Sequence, residues 1–254
     1  MINVNADMAA SAVAETRMHL RSANPDGWAV RESGAVASVA GVPLAALNGV
    51  LTERDDADPR VVARLLEQVA DTGLPYCLQL RPGASLALAG LASAHGMTAD
   101  HPMPLMVLQD PARLAGAQRA DGLEVRELGP DEGESHVAVA AAGFEAPEEL
   151  VRQLLIPLLK ASGARAYVGE ADGRPVTTGL GITIGSFVGL FNIATVPEAR
   201  GHGYGAAISA RAVTDGLAAG ASWSWLTSSP AGYEVYQRLG YRTVESWSVW
   251  TRPA

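Results

Sequence analysis

The chain has 254 residues, of which 48% are apolar and 18% charged, with a formal net charge of −8. That composition belongs to an ordinary globular chain with material for a sizeable core, and it excludes a disordered one. The negative balance argues against nucleic acid as a partner, because phosphate neutralisation needs clustered Lys and Arg; it suits a cationic substrate such as an amine. The single cysteine, Cys77, lies in the apolar run PYCLQL and reads as a small buried hydrophobe. One Cys and five scattered His show no metal-ligand spacing, so no metal is expected. The N-terminus MINVNADMAA lacks the pattern of a signal peptide, and no apolar run is long enough to span a membrane. The expected location is the cytoplasm, with no membrane partner.

In chain order, a helix is expected over residues 6–21, followed by β-like segments leading to PLAALNGVL. Pro59 to Asp71 reads as a helix, PYCLQL as a strand, ASLALAGLASAHG as a helix and MPLMVL as a strand. A polar, Ala/Gly-rich break falls at residues 110–122 and predicts two domains, 1–115 and 120–254. Beyond it, LEVREL reads as a strand, and helices are expected from Pro130 to Ala142 and from Pro147 to Lys160. RAYVGE and PVTTGLGITIG flank an Asp-Gly turn and form a hairpin. VGLFNIATV reads as a central strand covered on both faces, residues 205–219 as a helix, WSWLT as a strand, and GYEVYQRLG as a helix ending at Gly240. The strand–helix order of the first half repeats, weakly, that of residues 188–250, which suggests a degenerate duplication.

Between the central strand and the helix at 205 the chain reads TVPEARGHGYG. An alternating-glycine turn at a helix start presents unpaired backbone N–H groups with the positive end of the helix behind them, which makes an anion site. A tight turn with no ligand is the alternative. The dinucleotide fingerprint is incomplete, for Ala206 takes the third glycine's place and the acidic residue about twenty positions on is missing. No Gly-Lys-Ser/Thr follows, so the loop is not that of a P-loop NTPase.

Arg200-Gly201-His202-Gly203-Tyr204-Gly205, after a β-rich run and Val196-Pro197-Glu198, resembles the R/Q-x-x-G-x-G/A loop of the GNAT superfamily of acyl-CoA-dependent N-acyltransferases. Tyr233-Glu234-Val235-Tyr236-Gln237-Arg238-Leu239-Gly240-Tyr241 looks like that family's second signature. The resemblance covers residues 122–250 and implies an α/β (α+β) GNAT fold, a mixed central sheet flanked by helices, in tandem with a smaller degenerate GNAT-like N-terminal domain. It further implies an N-acyltransferase that moves an acyl group, foremost acetyl, from acyl-CoA to a small-molecule amine by direct attack in a ternary complex.

Carried over by position, the resemblance assigns the coenzyme A pyrophosphate to the backbone of Gly201, His202, Gly203, Tyr204, Gly205 and Ala206. Thr195 and Val196 would lie along the pantetheine, with Arg200 near a phosphate. The Ile193 amide would face the thioester oxygen, and Tyr236 would protonate the departing thiolate, with Tyr233 as its core partner. His202 is expected to face solvent. Where some relatives carry a basic glutamate this chain has Gly189, and Asn192 is no base either. Deprotonation is left to ordered water, to a carboxylate of the first helices (Glu145, Glu148 or Glu149), or to a less basic amine.

The N-terminal half has Thr52-Glu53-Arg54-Asp55-Asp56-Ala57-Asp58-Pro59 where its own loop would fall. Four carboxylates and no glycine would repel a pyrophosphate, so no second coenzyme A is expected there; support of the catalytic half or a wall of the acceptor pocket is. Two rival readings stay open: a donor carried as the phosphopantetheine thioester of an acyl carrier protein, and a sensor that binds acyl-CoA without turnover.

Overall fold

The computed structural model describes residues 3–22, 24, 26–114, 116–117, 119–129 and 131–253. From the N-terminus, α1 (Ala6–Ser22) leads to β1 (Trp28–Glu32), β2 (Ala35–Val39) and β3 (Gly49–Thr52), then α2 (Pro59–Ala70), β4 (Tyr76–Leu80), α3 (Leu86–Ala94), β5 (Thr98–Ala99) and β6 (Met103–Leu108). After the break come β7 (Leu123–Glu127), α4 (Gly133–Phe144), α5 (Glu148–Leu158), β8 (Ala164–Ala171), β9 (Arg174–Ile184), β10 (Phe187–Thr195), α6 (Tyr204–Ala218), β11 (Trp223–Thr227), α7 (Tyr233–Arg238) and β12 (Arg242–Arg252). The expected helix start at Pro130 lies outside the described residues, and α4 runs on past Ala142 to Phe144.

The local reasons are ordinary ones. The Asp58 carboxylate accepts from the Arg60 amide and Pro59 opens α2, whose Val62, Leu65, Leu66 and Val69 form one buried stripe. The Ser85 hydroxyl caps α3 in the same manner.

The chain makes two compact units that do not divide at a single point. One holds Val4–Leu105 and the segment from Thr243; the other holds Met106–Arg242. In the first, β1, β2 and β3 are antiparallel neighbours, β3 and β4 are parallel across α2, and β4 pairs antiparallel with β12 from Leu80↔Ser248 to Tyr76↔Arg252. Its core gathers Val50, Leu65, Leu66, Leu78, Leu80 and Leu88.

In the second unit β7, β8, β9 and β10 form an antiparallel meander, and β10 and β11 are parallel across α6. Residues Met106–Leu108 of β6 border β11. Val188 and Leu190 of β10 meet Ile208, Ala212 and Val213 of α6 in its core. The repeated order, parallel strands bridged by a helix and followed by a short helix and a strand, thus runs through both halves of the chain, although the closing strand of the second half, β12, belongs to the first unit and Met106–Leu108 of β6 to the second.

Candidate active site

β10 changes character halfway along. Phe187 to Leu190 are buried, as a central strand requires, but Phe191, Asn192 and Ile193 are half-buried. The ladder with β9 runs from Phe187↔Ile184 to Phe191↔Leu180 and resumes at Ala194↔Thr178, so two residues of β10 oppose one of β9. Asn192 takes the extra length in a left-handed conformation (φ 53°), which its short polar side chain tolerates. On the other side, the parallel ladder with β11 ends at Gly189↔Trp225. Past that pair the two strands part, and the β11-side edge of β10 is left open.

The bulge also resets the faces of the strand. Val188 and Leu190 pack against α6, and beyond the bulge Ile193 and Thr195 face α6 as well, close to Gly205. Val196 donates to the Val176 carbonyl at 2.9 Å, so residues 196 and 194 bond toward β9 and Thr195 turns its N–H and C=O away from it. Thr177 of β9 fixes this stretch: its hydroxyl donates to the Ala194 carbonyl at 2.9 Å and lies 2.9 Å from Thr195 Oγ1.

At the foot of the strand a 3₁₀ turn, Pro197–Ala199, feeds the glycine loop. Gly201 (φ 85°) and Gly203 (φ 80°) are left-handed, and a methyl group added at either would meet nothing within 4 Å. The glycines there serve the backbone path, not close packing. No side chain caps α6. Among the described residues, none accepts a hydrogen bond from the backbone N–H of residues 201 to 206. Six successive donors thus stand at the positive end of a 15-residue helix. Val196 differs, because its amide is already committed to β9.

Arg200 turns away from that loop. Its guanidinium donates to the Gly143 carbonyl at 2.8 Å and pairs with Glu145 Oε1 at 3.1 Å, with a long contact of 3.4 Å from Nε to the Thr195 carbonyl. Glu145 is the left-handed residue that ends α4. His202 is exposed, as its sequence position suggests, and stacks on Tyr204 at 5.4 Å. The other carboxylates near the start of α5 are held too: Arg152 bonds Glu148 at 2.6 Å, Glu149 at 2.7 Å and Glu134 at 2.9 Å. That bond to Arg152, with a second from Gln153, keeps the Glu149 carboxyl below the usual carboxylate range.

Tyr236 sits on α7, half-buried, beside the same core as Ile193 and Ala206. Burial pushes its phenol above the ordinary value, and a hydrogen bond with Ser209 works the other way. Its ring packs edge-on to Tyr241 at 5.8 Å, and the Tyr241 hydroxyl bonds Ser224 at 2.6 Å. Tyr233 adjoins the same core. Ile193, Ala206 and Tyr236 thus border one core, whereas Glu145, Glu148 and Glu149 are tied up in ion pairs.

Three neighbours of the site carry no legible signal in the sequence: Thr177, Ser209 and His136. His136, on α4, is fully buried, its Nδ1 2.6 Å from Thr178 Oγ1. Thr178 in turn donates to the Tyr167 carbonyl, so His136 Nδ1 is the donor of its pair. Burial lowers its pKa to about 4.

The corresponding place in the other unit is built differently. β3 pairs with its antiparallel neighbour β2 from Ser38↔Gly49 to Ala35↔Thr52 without a bulge, and the amides of Glu53 and Arg54 already donate to the Gly34 carbonyl. An open cavity there, about 490 Å³, is lined by Asp7, Glu53, Arg54, Asp55, Asp56 and Arg81. Cys77 is buried, its thiol pushed up to about 11 by desolvation. Among the described residues no group of His, Cys, Asp or Glu is placed to hold a metal ion, and no helix is long and apolar enough to cross a membrane.

No protein-family model and no curated protein matches the sequence. Solved structures do match. A GCN5-related N-acetyltransferase from Kribbella flavida is similar with a TM-score of 0.71 at 21% identity, over 97% of this chain and 95% of its own. A functionally unknown conserved protein from Staphylococcus epidermidis ATCC 12228 follows with a TM-score of 0.66 at 13% identity, over 88% and 92%. A tandem GNAT protein from the clavulanic acid biosynthesis pathway, solved without AcCoA, matches 99% of this chain and 96% of its own at 16% identity, with a TM-score of 0.58. Identities this low speak to architecture alone. The chain shares the fold of these structures along nearly its whole length.

Proposed function

We propose that the chain is an acyl-CoA-dependent N-acyltransferase, with acetyl-CoA as donor and the primary amine of a small molecule as acceptor. The observation that carries this reading is the run of unbonded amides at residues 201–206, at the foot of a strand that has parted from its neighbour. Those amides fit a pyrophosphate, and the open edge of β10 at Ile193 and Thr195 fits an extended amide-bearing arm. The donor supplies an activated thioester carbonyl.

The residues of this chain then have distinct tasks. The Ile193 amide points a fixed donor at the oxygen that gains charge during attack, which stabilises the transition state more than the ground state. Thr177 holds Ala194 and Thr195 so that this amide keeps its direction. Tyr236 gives its proton to the departing sulfur, and its raised pKa keeps the phenol protonated across the neutral range. Catalytic-half residues include no cysteine, so attack is direct. The other unit carries no second donor site in this reading, since its loop amides are used and its cavity is rich in carboxylates.

The test is thiol release from acetyl-CoA in the presence of an amine panel, with wild type and Tyr236→Phe. Turnover that falls in the variant while donor binding persists supports the reading. Binding without turnover in the wild type would instead make the chain a sensor, and turnover confined to carrier-protein thioesters would change the donor.

A further inference from the structure

Gly189 sits at the last pair of the β10–β11 ladder, and two aromatic rings close over it. A methyl group added there would lie 2.8 Å from Phe191 Cε2 and 3.1 Å from Trp225 Cε2 and Cζ2. The rings meet edge to face, with centroids 5.4 Å apart. Phe187 and Trp223 form a second tilted pair on the same face at 5.5 Å. Because Val188 and Leu190 face α6, this aromatic row lies on the opposite face of β10. Trp225 is buried but Phe191 is only partly buried, two residues past the point where the strands part. No larger side chain, and so no carboxylate, fits at Gly189 with both rings in place.

From this we infer that the acceptor is a weakly basic aromatic amine, an arylamine, whose ring packs on Phe191. The inference rests on the acyltransferase reading and adds the substrate class. Its chemical basis is the protonation state of the nucleophile. About a thousandth of a lysine-like amine is neutral at pH 7, so an alkylamine acceptor depends on a base to recover its lone pair. Gly189 supplies none, and Glu148 and Glu149 are held by Arg152. An arylamine is already neutral at pH 7 and needs no base before attack. The Phe191 ring, flanked by Trp225, offers the packing surface that such a ring prefers.

The amine nitrogen forms a bond to the thioester carbonyl carbon, and the carbonyl oxygen takes the negative charge beside the Ile193 amide. The C–S bond then breaks, the sulfur takes the Tyr236 proton, and the nitrogen, acidic once acylated, loses its extra proton to water. Water restores the proton to Tyr236.

The experiment follows thiol release from acetyl-CoA with aniline, 2-phenylethylamine and spermidine from pH 6 to 9, alongside a thermal-shift titration with acetyl-CoA alone. The expected result is aniline turnover at pH 7 at least about tenfold above either alkylamine, flat with pH, while alkylamine rates climb with the neutral fraction. Phe191→Ala should raise KM for aniline severalfold with the acetyl-CoA shift retained. A wild type that binds acetyl-CoA but prefers spermidine or 2-phenylethylamine, or ignores all three amines, overturns the arylamine assignment alone. No shift with acetyl-CoA overturns the acyltransferase reading, and this inference with it.

Discussion

The Arg200 guanidinium is bound to the Glu145 carboxylate at 3.1 Å, 55 residues away in the chain, and to the Gly143 carbonyl beside it. The arginine that opens the glycine loop is therefore held by the end of α4, and under the proposed function a donor phosphate would compete with Glu145 for it. Both side chains are at least half exposed, so the pair itself adds little to stability, below about 1 kcal/mol. Glu145→Gln should bind coenzyme A about twofold to fivefold more tightly than wild type with a nearly unchanged Tm, on the scale of one screened charge. Arg200→Gln should bind it more weakly. Isothermal titration at two salt concentrations measures both, and equal affinities in all three proteins would show that Arg200 does not exchange partners.

Gly179 lies opposite the bulge, where a methyl group would come 2.5 Å from both Ile193 Cδ1 and Ile208 Cγ2. Gly179→Ala should destabilise the fold by about 1–3 kcal/mol through overpacking. Under the proposed function it should also lower kcat more than donor affinity, because the displaced side chain belongs to the residue proposed to place its amide at the reacting carbonyl. Denaturant unfolding and steady-state kinetics check the two effects separately.

Tyr236→Phe should leave acetyl-CoA affinity within about twofold and lower kcat by about 10²-fold, the low end of general acid catalysis. The direction of the phenol's shift sets the pH dependence. Raised above its ordinary value, the group stays protonated through neutral pH, so its alkaline limb lies above pH 10 in the wild type. A kcat limb assigned to Tyr236 near neutral pH would contradict the role.

His136 ties stability to pH. Its folded pKa of about 4 lies below the ordinary 6.5, so between those values the unfolded chain binds the extra proton. Stability is then complete above pH 6.5 and falls as the pH drops toward 4, by about 3 kcal/mol in all. His136→Gln should be less stable at pH 7.5 but lose less between pH 7.5 and pH 5. Parallel pH losses in the two proteins, read by thermal melts, would exclude His136 as the source.

In the other unit, Arg81 is buried with its guanidinium 2.6 Å from Glu245 and 2.7 Å from Asp7. It also donates to the Glu53 carbonyl at 3.0 Å, while Trp247 Nε1 donates to Glu245. Arg81→Met leaves a half-covered carboxylate on β12 without its partner and should cost about 3 kcal/mol, the usual result of breaking a buried pair. Replacing Glu245 by Gln should cost less, since the guanidinium keeps Asp7.

What the sequence revealed and what it hid follow from range. TVPEARGHGYG was legible because left-handed glycines and an uncapped helix start are local properties. The helix opened by Asp58-Pro59 was legible for the same reason. The break in β10 was not, because VGLFNIATV is apolar throughout and the bulge exists only in the register against β9. The Glu145 partner of Arg200 was not legible, because that carboxylate lies on a different element. Nothing in the sequence pointed to the burial of His136 against Thr178, or to the two rings that cover Gly189. The last strand gave no sign that it pairs with β4, since an alternating strand suits either sheet.

The most direct measurement is an isothermal titration of the full chain with acetyl-CoA, repeated with Gly203→Glu. The expected result is one-to-one binding in the wild type, accompanied by a thermal shift of roughly 5–10 °C at about 100 times Kd. Binding should be lost in the variant, whose added carboxylate would stand among the loop amides. No binding by the wild type up to millimolar acetyl-CoA, or equal binding by Gly203→Glu, would contradict a donor site at the start of α6.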